Sequence, residues 1–382
     1  MYADRITRIA PSQTIAITTL AQELKAQGKD VLSFSAGEPD FDTPPCVKEA
    51  AKAAIDAGFS KYTAVKGIPE LLQAIAKKLQ RDNGLDYSAE DVMVGNGAKQ
   101  SLFNAFQALI NPGDEVIIPA PYWVSYPELV TYSGGKNVFL PTSAATEFKI
   151  TAEQLQKALT PKTKMLVLTT PSNPTGMIYT KAELQALADV LKGTKVWVLS
   201  DEIYEKLVYE GSMYSFGALE GQLERTITVN GLSKSLSMTG WRVGYLATKD
   251  KTLLKHMLAL QSHSTSNINS VAQKASLAAL QGCAVKDIEN MRLAFKERRD
   301  VAYVGLNEIK GLSTLKPQGA FYLWIKIPEQ NSLEFCQKLL AEQSVALVPG
   351  IAFGVEGFVR MSYACSLEQI KAGLERLKKF MA

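Results

Sequence analysis

Between residues 91 and 201 one pattern recurs: a short, nearly all-apolar run rich in β-branched residues, then a turn, then a stretch with helical spacing. The runs cover residues 92–94, 115–118, 165–168 and 196–199. The turns read Gly95-Asn96-Gly97-Ala98-Lys99-Gln100, Pro119-Ala120-Pro121-Tyr122-Trp123, Thr170-Pro171-Ser172-Asn173-Pro174-Thr175-Gly176 and Ser200-Asp201. Strands that lack polar alternation are buried on both faces, so the pattern predicts an α/β fold with a mostly parallel sheet flanked by helices. Ligands in such folds bind beyond the carboxyl ends of the strands. All four turns fall there, and their residues belong to one candidate site.

At 382 residues the chain is long enough for a large core and a second module. Upstream of the repeats, residues 12–28 have helical spacing, 31–35 read as a strand, a helix begins near 47, and Gly67-Ile68-Pro69-Glu70-Leu71 opens another helix with proline in its first turn. Helical spacing dominates 252–306, and the run from 285 is long enough to bridge two domains. The texture then mixes: strand 320–325, helix 332–342, strand 358–363, helix 367–381. These shifts predict a large domain over 42–288 and a smaller α+β domain built from both termini, 1–41 and 289–382.

The balance of 42 basic and 38 acidic residues leaves a formal charge of +4, too small to argue for nucleic acid. Cys46, Cys283, Cys336 and Cys365 lie far apart, which argues against a disulfide framework or a zinc site and for reduced thiols. His256 and His263 lack metal-ligand spacing, and no metal is expected. The start of the chain lacks the apolar core of a signal peptide, and no run suggests a membrane span. A cytoplasmic enzyme is expected. Nucleophile-elbow, zinc-protease and Walker patterns are absent, and Gly95-x-Gly97 lacks the third glycine of a dinucleotide fingerprint.

The stretch Asn230-Gly231-Leu232-Ser233-Lys234-Ser235-Leu236-Ser237-Met238-Thr239-Gly240-Trp241-Arg242-Val243-Gly244-Tyr245 follows a β-rich run at 226–229. With three glycines and many hydroxyls it is poor helix and poor strand material, as suits backbone bent around a ligand. It resembles the cofactor-lysine motif of the fold type I, pyridoxal-phosphate (PLP) dependent aminotransferases, Ser-Lys-x-x-x-Met-Thr-Gly-Trp-Arg-x-Gly-Tyr. The resemblance implies that Lys234 carries the PLP aldehyde as a Schiff base and that Arg242 binds its phosphate.

Further segments match the same family in chain order. Asp201-Glu202-Ile203-Tyr204-Glu205 is similar to its Asp-Glu-x-Tyr segment, which implies Asp201 at the pyridine nitrogen and Tyr204 at the phenolic oxygen. From the residues alone, Asp201 serves equally as a helix N-cap, with Tyr204 on the same helical face. Asn173 is implied at the same oxygen, Trp123 against the PLP ring, and Gly97, Ala98, Lys99 and Ser233 around the phosphate, where a helix start supplies N–H groups. Tyr62 is implied to reach the phosphate of a neighbouring subunit in a homodimer with shared active sites. Gly37, in Gly37-Glu38-Pro39-Asp40-Phe41, and Arg360, in Phe358-Val359-Arg360-Met361-Ser362-Tyr363, are implied at the substrate carboxylate.

These segments span nearly the whole chain and are similar to the class I and II aminotransferases. Pro121-Tyr122-Trp123-Val124-Ser125-Tyr126-Pro127 with the Met-Thr-Gly-Trp-Arg segment resembles the bacterial type Ib aspartate aminotransferases. That implies transfer of the amino group from L-aspartate to 2-oxoglutarate, small-molecule amino and 2-oxo acids, through pyridoxamine phosphate. An aromatic or prephenate aminotransferase, or a PLP β-lyase, is the alternative. Ser266, Asn267 and Gln107 are candidates for polar lining of the side-chain pocket.

Overall fold

The computed structural model of the chain describes residues 2–11 and 13–382. In chain order the strands are β1 (Leu32–Ser33), β2 (Val92–Asn96), β3 (Glu115–Ala120), β4 (Lys136–Pro141), β5 (Thr163–Thr169), β6 (Trp197–Asp201), β7 (Thr226–Gly231), β8 (Val243–Ala247), β9 (Ser313–Thr314), β10 (Tyr322–Lys326), β11 (Val345–Ala346), β12 (Val348–Pro349) and β13 (Phe358–Ser362). Seven of them form one sheet in the order β2-β8-β7-β6-β5-β3-β4. Its pairs from β4 to β7 are parallel, and β8 runs antiparallel to both β7 and β2.

The apolar runs are buried on two faces because helices cover both. Along β2, Val92 and Val94 join one core cluster while Met93 joins another. Along β8, Val243, Tyr245 and Ala247 go one way and Leu246 the other. That alternation is the strand period of two, with apolar residues on each side of the pleat. The helix Pro69–Asn83 starts on proline and stops at Gly84, whose φ of 66° is the left-handed conformation glycine allows at a helix end.

A second sheet, ordered β12-β13-β10-β9, sits in a separate core with Phe34, Phe295, Phe321 and Phe335. The helix Val285–Asn307 runs between the two cores: Ile288 packs on the cluster beneath β2, whereas Met291, Phe295, Ala302 and Leu306 lie in the cluster beneath β10. The helix Gln13–Ala26 falls within the predicted span 12–28, of which Ser12 lies outside the described residues. The strand predicted at 31–35 shortens to β1, paired with β11. Among the described residues no helix is long and apolar enough to cross a membrane, and no cluster of metal-ligating side chains occurs.

Three expectations need correction. Residues 230–245 are not irregular throughout: Asn230 and Gly231 end β7, Val243 to Tyr245 open β8, and Gly231 pairs with Gly244. The glycine is there for room, since a Cβ on Gly244 would stand 2.1 Å from the backbone nitrogen of Ala98. Tyr204 does not share a helical face with Asp201, because the chain leaves β6 through consecutive turns. Cys46 and Cys283 form a disulfide between the start of the helix Pro45–Asp56 and the end of the π-helical turn Ala279–Cys283, leaving Cys336 and Cys365 free. Packing brings together two cysteines that are 237 residues apart in sequence, which spacing rules do not reach.

Candidate active site

A cavity of about 450 Å³ opens at the carboxyl ends of β5, β6 and β7. Gly37, Ala98, Lys99, Trp123, Asn173, Asp201, Tyr204, Ser233, Lys234, Arg242 and Arg360 all line it. Gly97 stands immediately behind, ending the turn into the helix Ala98–Leu109.

Lys234 rises from the connection between β7 and β8, which is fastened from several sides. The Thr43 hydroxyl donates to the Ser237 carbonyl at 2.8 Å, the Trp241 indole donates to Thr43 Oγ1 at 3.0 Å, and the Thr239 hydroxyl donates to Glu38 Oε2 at 2.7 Å. Leu236 and Met238 are buried beneath. The lysine itself donates to the Gly37 carbonyl. Burial pushes its ammonium down to about 8; Glu38 opposes the shift, and the charges of Arg360, Arg242 and Lys99 add to it.

The helix start and Arg242 form one unit. Gly97 has φ +75°, and a Cβ there would come within 2.4 Å of Arg242 Nη2, so only glycine fits both backbone and neighbour. Arg242 is itself left-handed at φ 57°. Its guanidinium donates to Thr239 O at 2.9 Å and Asn96 O at 3.2 Å, while its own carbonyl accepts from Gly97 N–H at 3.0 Å. First-turn amides without helical partners and an adjacent guanidinium make an anion cradle.

Asp201 ends β6 and is buried. Tyr126 donates to its Oδ2 at 2.7 Å and Ile203 N–H to its Oδ1 at 3.2 Å. Burial raises its pKa to about 6 against those two bonds and the charge of Lys234. Among the described residues it has no ion-pair partner, so a cation on a ligand would supply the missing counter-charge. On the opposite wall Arg360 donates from Nη1 to Asn173 Oδ1 at 3.0 Å and from Nη2 to Ser35 O at 2.8 Å, while its buried Nε has no partner among the described residues. Lys99 carries its Nζ 5.0 Å from the centre of the Trp123 ring.

Lys99, Lys234, Arg242 and Arg360 thus face one cavity, and among the described residues none has a carboxylate within ion-pair distance. Such a cavity is built for a ligand with several negative charges and a basic ring nitrogen over Asp201. Tyr62 is not at this cavity but on the surface, 91% exposed. Gln107, Ser266 and Asn267 do not line it either. Gln107 lies roughly 13 Å down its helix from Ala98 and bonds Ser133 at 2.6 Å. Asn267 turns its amide to the Ile268 carbonyl at 2.8 Å, and Ser266 sits beside it between two helices. The cavity also gains Thr19, Gln22, Tyr126, Thr169 and Tyr322. Of these, the sequence ties only the segment of Tyr126 to the site.

An amine of lowered pKa, a buried carboxylate short of a cation, and an anion cradle at the ends of a parallel sheet together define a PLP-dependent enzyme of fold type I. The chain belongs to the class I and II aminotransferases, whose family model matches residues 29–377. It is 48% identical to the aspartate aminotransferase of Geobacillus stearothermophilus, over 99% of this chain and 98% of that one. It is 47% identical to the aspartate/prephenate aminotransferase of Cereibacter sphaeroides, over 100% and 98%. The structure of the Thermus thermophilus aspartate aminotransferase with maleate superimposes with a TM-score of 0.96 at 43% identity, covering 99% of each chain.

Proposed function

We propose that this enzyme is an aspartate aminotransferase, moving the amino group of L-aspartate to 2-oxoglutarate. PLP, when bound, supplies an aldehyde to hold the amino group and a protonated ring that withdraws electrons from the substrate α-carbon. The chain's own residues do the rest. The first-turn amides of Ala98 and Lys99, with Gly97, Ser233 and Arg242, would hold the phosphate, Asp201 would keep the ring nitrogen protonated, and Asn173 and Tyr204 would meet the ring oxygen. Trp123 would wall the ring. Gly37 and Arg360 would orient the α-carboxylate, and the Lys234 amine, whose pKa burial lowers, would take and return the α-proton.

The observation that carries the substrate is the cation left over. Arg242 answers the phosphate, Lys234 the aldehyde and Arg360 one carboxylate, so the ammonium of Lys99 beside Trp123 is available for a second carboxylate. Relatives named for aspartate, and maleate in the Thermus structure, support a dicarboxylic substrate. Lys99→Met is therefore expected to weaken kcat/KM for aspartate about 10- to 100-fold and to leave phenylalanine within a few-fold. Half-reaction rates with aspartate, glutamate, phenylalanine and prephenate provide the measurement; negligible aspartate turnover in the wild type sinks the proposal. A second reading, in which prephenate is also accepted, rests on the Cereibacter relative and on the apolar wall of Leu102, Trp123 and Ile203.

We also infer that the chain divides into a large domain, 42–288, and a small one, 1–41 with 289–382. Lys234 and Asp201 then belong to one, Gly37 and Arg360 to the other, and substrate bridges them. The exposure of Tyr62 supports a homodimer in which it reaches the partner's cofactor phosphate. The setting would be the cytoplasm, where reducing conditions would open the Cys46–Cys283 pair. A monomer in sedimentation, or enzyme recovered outside the cytoplasm, overturns these parts.

A further inference from the structure

We propose that Tyr322 is a positioning residue that links the carboxylate-binding arginine to Tyr204 and, through Tyr204, to the ring oxygen of the cofactor. Tyr322 opens β10 and pairs with Ser362 of β13, two positions from Arg360; only 1% of its surface is exposed. Its ring lies 4.3 Å from the Arg360 guanidinium carbon, close enough for the π-face to hold that cation. Its hydroxyl is 2.9 Å from the hydroxyl of Tyr204. Among the described residues neither hydroxyl has another hydrogen-bond partner.

That isolation fixes the direction of the bond once cofactor is present. Each phenol has one proton to donate. Tyr204 donates its proton to the ring oxygen, so its own oxygen must accept from Tyr322. The result is a chain from Tyr322 to Tyr204 to the ring oxygen, in which each bond polarises the next. Arg360, against the face of Tyr322, strengthens the first donor: burial raises the Tyr322 pKa, and the arginine charge opposes that rise. Substrate binding at Arg360 and the electronics of the cofactor thereby share one side chain. No sequence motif marks Tyr322, because its register on β10, not a neighbouring signature, brings it to the cavity.

The two contacts separate by mutation. Tyr322→Phe keeps the ring on Arg360 and removes the hydroxyl. Hydrogen bonds donated to the ring oxygen favour its anionic form and hence the unprotonated lysine–cofactor chromophore. Weakening the chain is expected to raise the apparent pKa of that absorbance band by about 0.5–1 unit. Binding of maleate, measured by the same absorbance, is expected to stay within about twofold, because the ring remains. Tyr322→Leu removes both contacts and is expected to raise the pKa and also weaken maleate about tenfold.

In a Tyr204→Phe background the shift caused by Tyr322→Phe is expected to vanish, which a merely structural role would not predict. An unmoved pKa in Tyr322→Phe, or a shift that persists without the Tyr204 hydroxyl, overturns the inference while leaving the proposed reaction intact. A wild-type enzyme that shows no titrating band overturns the cofactor assignment on which the inference rests.

Discussion

Lys234→Ala is expected to cut turnover by at least ~10⁴-fold while the protein stays folded, because the lost amine both holds the aldehyde and moves the proton. The fold survives because the connection from β7 to β8 is held by Thr43, Thr239 and Trp241 and by buried Leu236 and Met238, none of which depends on the lysine. Stability is expected to rise in the cofactor-free protein. The folded pKa of about 8 lies below the ordinary 10.5, so the folded state binds the proton less well than the unfolded one. The cost is complete below pH 8, fades as pH rises from 8 to 10.5, and is gone above. Removing the amine should therefore stabilise the bare protein by roughly 1–3 kcal/mol at pH 7, and by nothing near pH 11. Thermal melts of both proteins at the two pH values test this, alongside turnover; a variant that retains near-wild-type turnover would falsify the role of Lys234.

Arg360→Lys is expected to lower kcat/KM for aspartate by about 10²–10⁴, although the charge is kept. A guanidinium presents two parallel donors to a carboxylate, whereas an ammonium offers one point of attachment and a shorter hydrogen-bonding span. The substitution also removes the bonds to Asn173 and to the Ser35 carbonyl, so two neighbours of the cavity each lose one contact. A control separates orientation from general damage. With an amine that lacks an α-carboxylate the variant and the wild type should react at comparable, slow rates. A loss below about threefold with aspartate would remove Arg360 from the substrate site.

The parallel sheet is legible in the sequence because its strands carry apolar residues on both faces: the runs at 92–94, 115–118 and 165–168 lie within strands, and 196–199 overlaps β6 from Trp197 onward. What escapes has physical causes. β4 is an edge strand with no fully buried residue and contains asparagine and proline, so it lacks the buried signature. β8 is hidden by Gly244, whose purpose is clearance from Ala98. Site residues at or shortly beyond a strand end, such as Asp201 and Asn173, are legible because strand ends face the ligand. Tyr322, Thr19 and Gln22 reach the same cavity from other elements, through packing that no local pattern encodes. Gln107 shows the reverse case, a polar residue near the motif in sequence and two turns away along a rigid helix.

The antiparallel return of β8 also bears on how length changes can be tolerated. β8 is bonded on both sides, to β7 through Gly231–Gly244 and to β2 through Asn96–Val243. An extra residue between Lys234 and Arg242 cannot be passed into the sheet, because a slip of one position would turn Tyr245 and Leu246 onto each other's faces. It would have to be stored in the connection itself, lifting either the amine or the guanidinium off its station. The interval from Lys234 to Arg242 therefore acts as a fixed spacer, and insertions and deletions among relatives should accumulate in exposed loops elsewhere long before they enter it.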